Sequence, residues 1–200
     1  MKVGNMPLQK GLASTLSPDG DQSAPEVSVR TLTLDGIPLE AGPVSHRQFA
    51  DTMAHLASSV CIVTSGEAGQ WEGRTVTAMA SLSATPPSLV VSITKGSALA
   101  EQIVRTGGFS VAMLASDQND IADIFAGKSI SGGRFDTGQW QSWASGRPKL
   151  SGAMAVIDCQ LAGVIELDTH CLFAGVFMAS EFGDHKPLLW HNRGYAYLAG

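Results

Sequence analysis

Residues 74–87 read RTVTAMASLSATPP, a run from Arg74 to Pro87 in which small and hydroxyl-bearing side chains dominate, no charge follows Arg74, and two prolines close the stretch. Side chains this small bury little apolar surface, so the run contributes little to a core. What it offers instead is access. Small residues let backbone amides come within hydrogen-bond reach of a flat polar ring, and Thr or Ser hydroxyls add donors without bulk. Taken alone, the same stretch also reads as a closely packed β-hairpin with a proline-terminated edge.

The flanking segments set the context. Val60 to Thr64 (VCIVT) is a short apolar, β-branched strand, and Gly66 to Gly69 reads as the turn of a hairpin leading into Arg74 to Met79. After the prolines, Leu89 to Ile93 (LVVSI) is a further strand. Ser97 then caps a helix carrying Leu99, Ile103 and Val104, closed by Gly107-Gly108 where helices exit through a left-handed residue. Phe109 to Leu114 is a strand, and Ile121 to Ala126 a short helix ended by Gly127. The tail returns to strands over Ala155–Leu167, Cys171–Ala179 and Tyr195–Leu198. Upstream, Phe49, Met53 and Leu56 recur at i, i+4 and i+7 after Ser45, which predicts a helix of about three turns with one apolar stripe. Many strands with few helices and no regular βαβ alternation predict a mainly β, α+β architecture: an antiparallel barrel decorated by helices, not a Rossmann sheet.

Residues 1 to 43 are rich in Gly, Ser, Pro, Asp and Gln and lack apolar periodicity, so they read as a flexible N-terminal extension, or an arm laid on the domain, preceding a single domain over 44–200. Within the extension, Val27 to Leu34 (VSVRTLTL) alternates and predicts an edge strand or a strand pairing with a partner subunit. The chain has 200 residues, 44% hydrophobic and 16% charged, enough for one domain with a real core. A net charge of −5 argues against a nucleic-acid partner, which would be met by an excess of Lys and Arg. No apolar run approaches the roughly 20 residues of a membrane span, and the N-terminus lacks a secretory core, so the expected location is cytoplasmic, with no membrane partner. Three cysteines, Cys61, Cys159 and Cys171, form no CxxC pair and are expected as packed thiols.

The common catalytic devices are missing. Ala122 to Ser129 (ADIFAGKS) satisfies a relaxed phosphate-loop pattern, but its apolar residues precede the glycine at helical spacing instead of forming a glycine-rich turn after a strand. There is no GxGxxG, no GxSxG elbow, and no metal spacing among the five histidines, so no metal site is expected. That pattern suits a reaction whose hard chemistry belongs to a cofactor, with the protein supplying binding, orientation and electrostatics.

The order TVTAMASLSATPP, strand, Lys95-Gly96-Ser97, helix, Gly107 to Val111, Gln118, Phe125-Ala126, Gly133-Arg134-Phe135, Trp140, Gly146 to Leu150, Ala153, Asp158-Cys159, Asp168-Thr169-His170, Gly175-Val176, Pro187 to Leu189, Tyr195 resembles the short-chain flavin reductases. These are the reductase halves of two-component flavin-dependent monooxygenases. The resemblance covers about residues 45 to 198 and rests on many weak motifs in the right order.

The resemblance implies a flavin-binding split β-barrel, a homodimer with flavin near the subunit interface, FMN or FAD as flavin, NADH or NADPH as donor, and an oxygenase component that receives reduced flavin by diffusion. It implies that Thr75, Val76, Thr77 and Ala78 run beside the isoalloxazine ring and that Ser81, Leu82 and Ser83 hold the phosphate end. Lys95 and Ser97 match the next loop, near the phosphate or ribityl chain, and Arg134 either adds a cation there or is a surface arginine held by packing. Phe135 and Trp140 are expected to pack. His170 takes the catalytic-site position of a Gly-Thr-His triplet, here Asp168-Thr169-His170 with Asp in place of Gly; the alternative is a strand-end histidine satisfied by a carbonyl. Tyr195 borders the nicotinamide site in this reading. Related barrels oxidise without a nicotinamide donor or reduce ferric chelates or corrinoids, so the alternatives for this chain are a flavoprotein of the same barrel reducing another acceptor, or a non-enzymatic flavin-binding module.

Overall fold

The run from Arg74 to Ala84 folds as two strands that do not pair with each other, and Pro87 opens a third. The computed structural model describes residues 30–33, 42–128 and 133–199. In chain order the elements are β1 (Arg30–Thr33), α1 (His46–Ala54), β2 (Ser58–Ser59), β3 (Cys61–Ser65), β4 (Glu72–Val76), β5 (Met79–Ala84), β6 (Pro87–Thr94), α2 (Ala98–Thr106), β7 (Gly108–Met113), α3 (Asn119–Phe125), a 3-10 turn (Arg134–Asp136), β8 (Trp140–Ser142), β9 (Pro148–Leu150), β10 (Ala155–Glu166), β11 (His170–Phe182), β12 (Leu189–His191) and β13 (Gly194–Ala196).

The main sheet runs β4-β3-β7-β10-β11-β6-β5. Every step along it is antiparallel, as the alternating pattern predicts. Its two end strands, β4 and β5, are consecutive in sequence, so the chain crosses from one end of the sheet to the other at Thr77–Ala78. The barrel is therefore closed at this seam by covalent chain and not by a hydrogen-bonded ladder. Two backbone bonds hold the crossing: the Ser92 amide donates to the Ala78 carbonyl at 3.0 Å, and the Met79 amide to that of Thr77 at 3.1 Å.

Apolar side chains fill both faces of the wall. Inside lie Cys61, Val63, Val91, Phe109, Val111, Leu161 and Phe173. Outside, beneath α3, lie Ile62, Ala112, Leu114, Phe125, Leu150 and Leu188. Strand β3 alternates between the two, which is why all five of its residues are buried and why its sequence is apolar without polar alternation. Each large apolar side chain buried this way contributes roughly 1.5–3 kcal/mol. The three cysteines are packed thiols within this arrangement, with burial pushing the Cys61 and Cys159 thiols up to about 12.

The helices start where the caps predict. Ser45 and Gln48 form a reciprocal capping box on α1, and Ser97 accepts from the Ala100 amide on α2, which ends at Gly107 in the left-handed region at φ 66°. α1 departs from expectation in two ways: it stops at Ala54, before Leu56, and its apolar stripe is uncovered, with Phe49 59% and Met53 46% exposed. The i, i+4 pattern marks a helix face but does not say what covers it. Within the alternating Val27–Leu34 segment, Arg30–Thr33 forms a strand paired in parallel with Gly163–Glu166 of the same chain; the rest of residues 1–41 lies outside the described residues. No helix among the described residues is long and apolar enough to cross a membrane.

Candidate functional site

Three clefts converge on the seam. The first, about 350 Å³, is walled by Arg74 and Thr75–Ala78 on one side and by Ser92–Thr94, Ser97 and His170 on the other. The second, about 190 Å³, shares Thr75–Thr77 and adds Val60, Ala126, Lys128, Trp190 and Tyr195. The third runs beneath α1 past Met53, Ala54 and Leu56 to Thr77, Ala78, Trp190 and Arg193. Thr77 lines all three. Because β4 pairs only with β3, its other edge carries backbone donors and acceptors with no ladder partner, beside the clefts.

Of the residues expected at the site, Thr75, Val76, Thr77, Ala78, Ser97 and His170 come together on the first cleft. Their side chains are not all free. The Thr75 hydroxyl donates to the Ala122 carbonyl at 2.6 Å, pinning β4 to α3. Ser97 is committed to capping: its hydroxyl donates to the Thr94 carbonyl at 2.8 Å and accepts from the Ala100 amide at 3.3 Å. These residues therefore offer the cleft mainly backbone. His170 pairs with Thr94 in the β11–β6 register, and its Nδ1 lies 2.9 Å from the Thr169 hydroxyl, not on a carbonyl.

Other expected residues lie elsewhere. Ser81, Leu82 and Ser83 are exposed on the edge strand β5, and the Ser83 hydroxyl both donates to the Thr85 carbonyl and accepts its amide, each at 3.1 Å. Lys95 sits 3.0 Å from Glu166 over a separate apolar groove beside Cys171 and Phe173, and that carboxylate raises its pKa. Arg134 lies 3.9 Å from Glu72 and lines none of the three clefts. Phe135 and Trp140 pack as expected, with Phe135 edge-on to Phe125 at 5.1 Å and to Trp140 at 5.0 Å.

Tyr195 lines the second cleft, its hydroxyl donating to Asp123 Oδ1 at 2.5 Å. Burial, followed by that carboxylate, raises the phenol's pKa, so Tyr195 stays protonated. Asp123 also accepts from Lys128 at 2.8 Å, and the two donors, Lys128 first, lower its pKa. The Lys128 ammonium stands 5.4 Å from the ring centroids of both Trp190 and Tyr195, which are themselves edge-to-face at 5.3 Å. Arg74, Asp123, Lys128 and Trp190 were not expected here. A signal for Trp190 did exist: it pairs with Tyr195 across a two-residue turn in which Asn192 and Arg193 both take positive φ, the geometry of a tight hairpin.

The first cleft suits a flat, anion-bearing ligand. Its volume lies in the roughly 300–1,000 Å³ range of small-molecule sites, its seam wall carries no large side chain over Thr75–Ala78, and the N-terminus of the nine-residue α2 opens onto it at Ser97. An antiparallel split barrel with such a cleft along its seam is the architecture that the sequence resemblance implied. Residues 53–199 match the family model described as "Flavin reductase like domain", and the chain belongs to this family. Among curated relatives it is similar to the FMN reductase (NADH) RutF of Ancylobacter novellus, 34% identical over 162 residues covering 80% of this chain and 90% of that protein. Among solved structures it is similar to the flavin reductase PheA2, at TM-score 0.73 and 27% identity over 78% of this chain and all of that one. A third similarity is to BorF, the flavin reductase component of a bacterial two-component tryptophan halogenase, at TM-score 0.71 and 26% identity over 78% of this chain and 99% of that one.

Proposed function

We propose that the protein is an NADH:FMN oxidoreductase that releases reduced flavin to a partner oxygenase. The observation that carries the reading is the cleft at the barrel seam, where the backbone of Thr75–Ala78 faces His170, in a chain of the flavin reductase-like family. The names of its RutF relatives support FMN and NADH, and the BorF likeness supports an oxygenase-type partner.

When bound, flavin supplies the hydride-accepting ring. The chain's own contribution is positional. The unpaired edge of β4 would hold the ring's polar edge with backbone amides, which would oppose the negative charge that reduction brings. Thr77 and Ala78, lacking bulk, let the backbone approach closely. The α2 N-terminus favours an anion through its free amides. His170 and the Trp190–Tyr195 pair border the same stretch of β4 from two sides, limiting where a nicotinamide ring can lie. No side chain is required as a covalent catalyst.

The reading extends to a homodimer. α1 exposes Phe49 and Met53, β5 exposes Leu82 (56%), and the far half of β11 exposes Met178 (63%) and Phe182 (87%). So many large apolar side chains on one small domain mark an interaction surface, and a second copy is the partner we assign to it.

Purified protein mixed with NADH and FMN should consume NADH, followed at 340 nm, and the flavin should be recovered free after gel filtration. FAD and NADPH arms of the same assay rank the cofactors. Tight flavin binding without any NADH oxidation would instead identify a binding module.

A further inference from the structure

Two cations flank Thr75–Thr77, the stretch that the first two clefts share. Arg74 lines the first and Lys128 the second. A side chain built at Gly127, next to Lys128, would have its first carbon 4.0 Å from Arg74 Nη1, so the guanidinium lies beside the last turn of α3. That placement has a cause, because the carbonyl end of a helix attracts positive charge. It is also fixed: the Thr75–Ala122 bond ties the strand bearing Arg74 to the helix preceding Lys128.

The two cations differ in what holds them. Lys128 is engaged by Asp123 and flanked by Trp190 and Tyr195. Among the described residues Arg74 has neither a carboxylate nor a side-chain hydrogen-bond partner, whereas Arg47, Arg134, Arg147 and Arg193 each pair with an acid and Arg105 with Gln102. A guanidinium left free at the rim of a cleft, on a protein of net charge −5, presents a planar fork suited to phosphate oxygens.

We infer that Arg74 is a phosphate-recognition residue of this site, binding the phosphate tail of a redox cofactor, with Lys128 as the second cation flanking the same stretch. The inference rests on the reductase reading and deepens it. The tail belongs either to the flavin or to the nicotinamide dinucleotide, which bear the same chemistry, and truncated ligands separate the two. Arg74 is exposed, so Arg74→Gln leaves the fold intact, which a thermal melt verifies.

The first arm measures equilibrium binding of FMN against riboflavin by flavin fluorescence, with no turnover needed. The second compares kcat/KM for NADH with that for reduced nicotinamide riboside, which carries no phosphate. In one pair, Arg74→Gln should weaken the phosphorylated member about tenfold while leaving the phosphate-free member unchanged, the loss of one charge-assisted contact. Arg74→Lys should restore part of the difference, and Lys128→Gln should shift the same pair in the same direction. The wild-type advantage of the phosphorylated ligand should also shrink with added salt. Equal effects on both members of each pair, or no effect on any, overturn the inference. A protein that never oxidises NADH overturns the reductase reading, yet leaves the FMN–riboflavin comparison able to decide the role of Arg74.

Discussion

Gly108 lies directly under the Arg147 guanidinium: a Cβ at position 108 would sit 2.2 Å from Arg147 Nη2 and 2.5 Å from the Cys159 carbonyl. The missing side chain is what lets Arg147 reach Asp158, Nη1 to Oδ1 2.7 Å, with both side chains under a tenth exposed. Arg147→Met leaves the Asp158 carboxylate buried and alone, so it should cost about 3–5 kcal/mol in urea unfolding. The double variant Arg147→Met/Asp158→Leu, which removes both charges, should regain most of that loss. Equal stability of the single and double variants would show that the pair carries no such penalty. Gly108→Ala should destabilise in the same direction, since the clash is with backbone as well as with a side chain.

Thr77 lines all three clefts, so bulk there obstructs the whole junction. Thr77→Tyr should weaken FMN binding at least about tenfold, the scale of overpacking a tight wall, while the melting temperature changes little because Thr77 is exposed. Fluorescence titration checks it; retained affinity would displace the ring from the seam.

His170 stands across the first cleft from β4 without any partner that β11 needs for pairing. His170→Ala should leave FMN affinity unchanged and lower kcat/KM for NADH by about tenfold or more. Wild-type kinetics in this variant would reduce His170 to a strand-end residue.

Burial raises the pKa of all three thiols, to about 12 for Cys61 and Cys159. A thiol in that range is almost wholly protonated at pH 8, and the thiolate is the reactive form. The native protein should therefore react slowly with a thiol-specific disulfide reagent at pH 8, and all three cysteines should react at once in denaturant. Rapid labelling of one native thiol would expose a local opening, with Cys171 on the apolar groove the first to test.

Local chemistry made much of this legible. Ser45, Ser97 and Gly107 mark helix ends because caps act within a few residues, and the apolar runs at Cys61–Ser65 and Leu89–Ile93 announce strands. The seam was harder. Small and hydroxyl-bearing residues predominate straight through it from Thr75 to Ser83, so nothing local says that β4 ends and that the chain crosses to the far end of the sheet. Lys95 shows the same limit at the site. Its place after β6 follows from sequence order, but its side chain turns to Glu166, a partner brought near only by the β10–β11 and β6–β11 registers. Trp190 of β12 likewise meets the Asp123–Lys128 pair, which lies five residues apart at the C-terminal end of α3, and the pattern of neither element contains the other.

A cylinder whose last joint is a tether instead of a row of stitches can gape without tearing. At Thr77–Ala78 no inter-strand ladder joins β4 to β5, and two backbone bonds, Ser92–Ala78 and Met79–Thr77, hold the crossing. Under the proposed function, such a joint would let a tricyclic guest enter oxidised and leave reduced while the rest of the wall stays sewn shut.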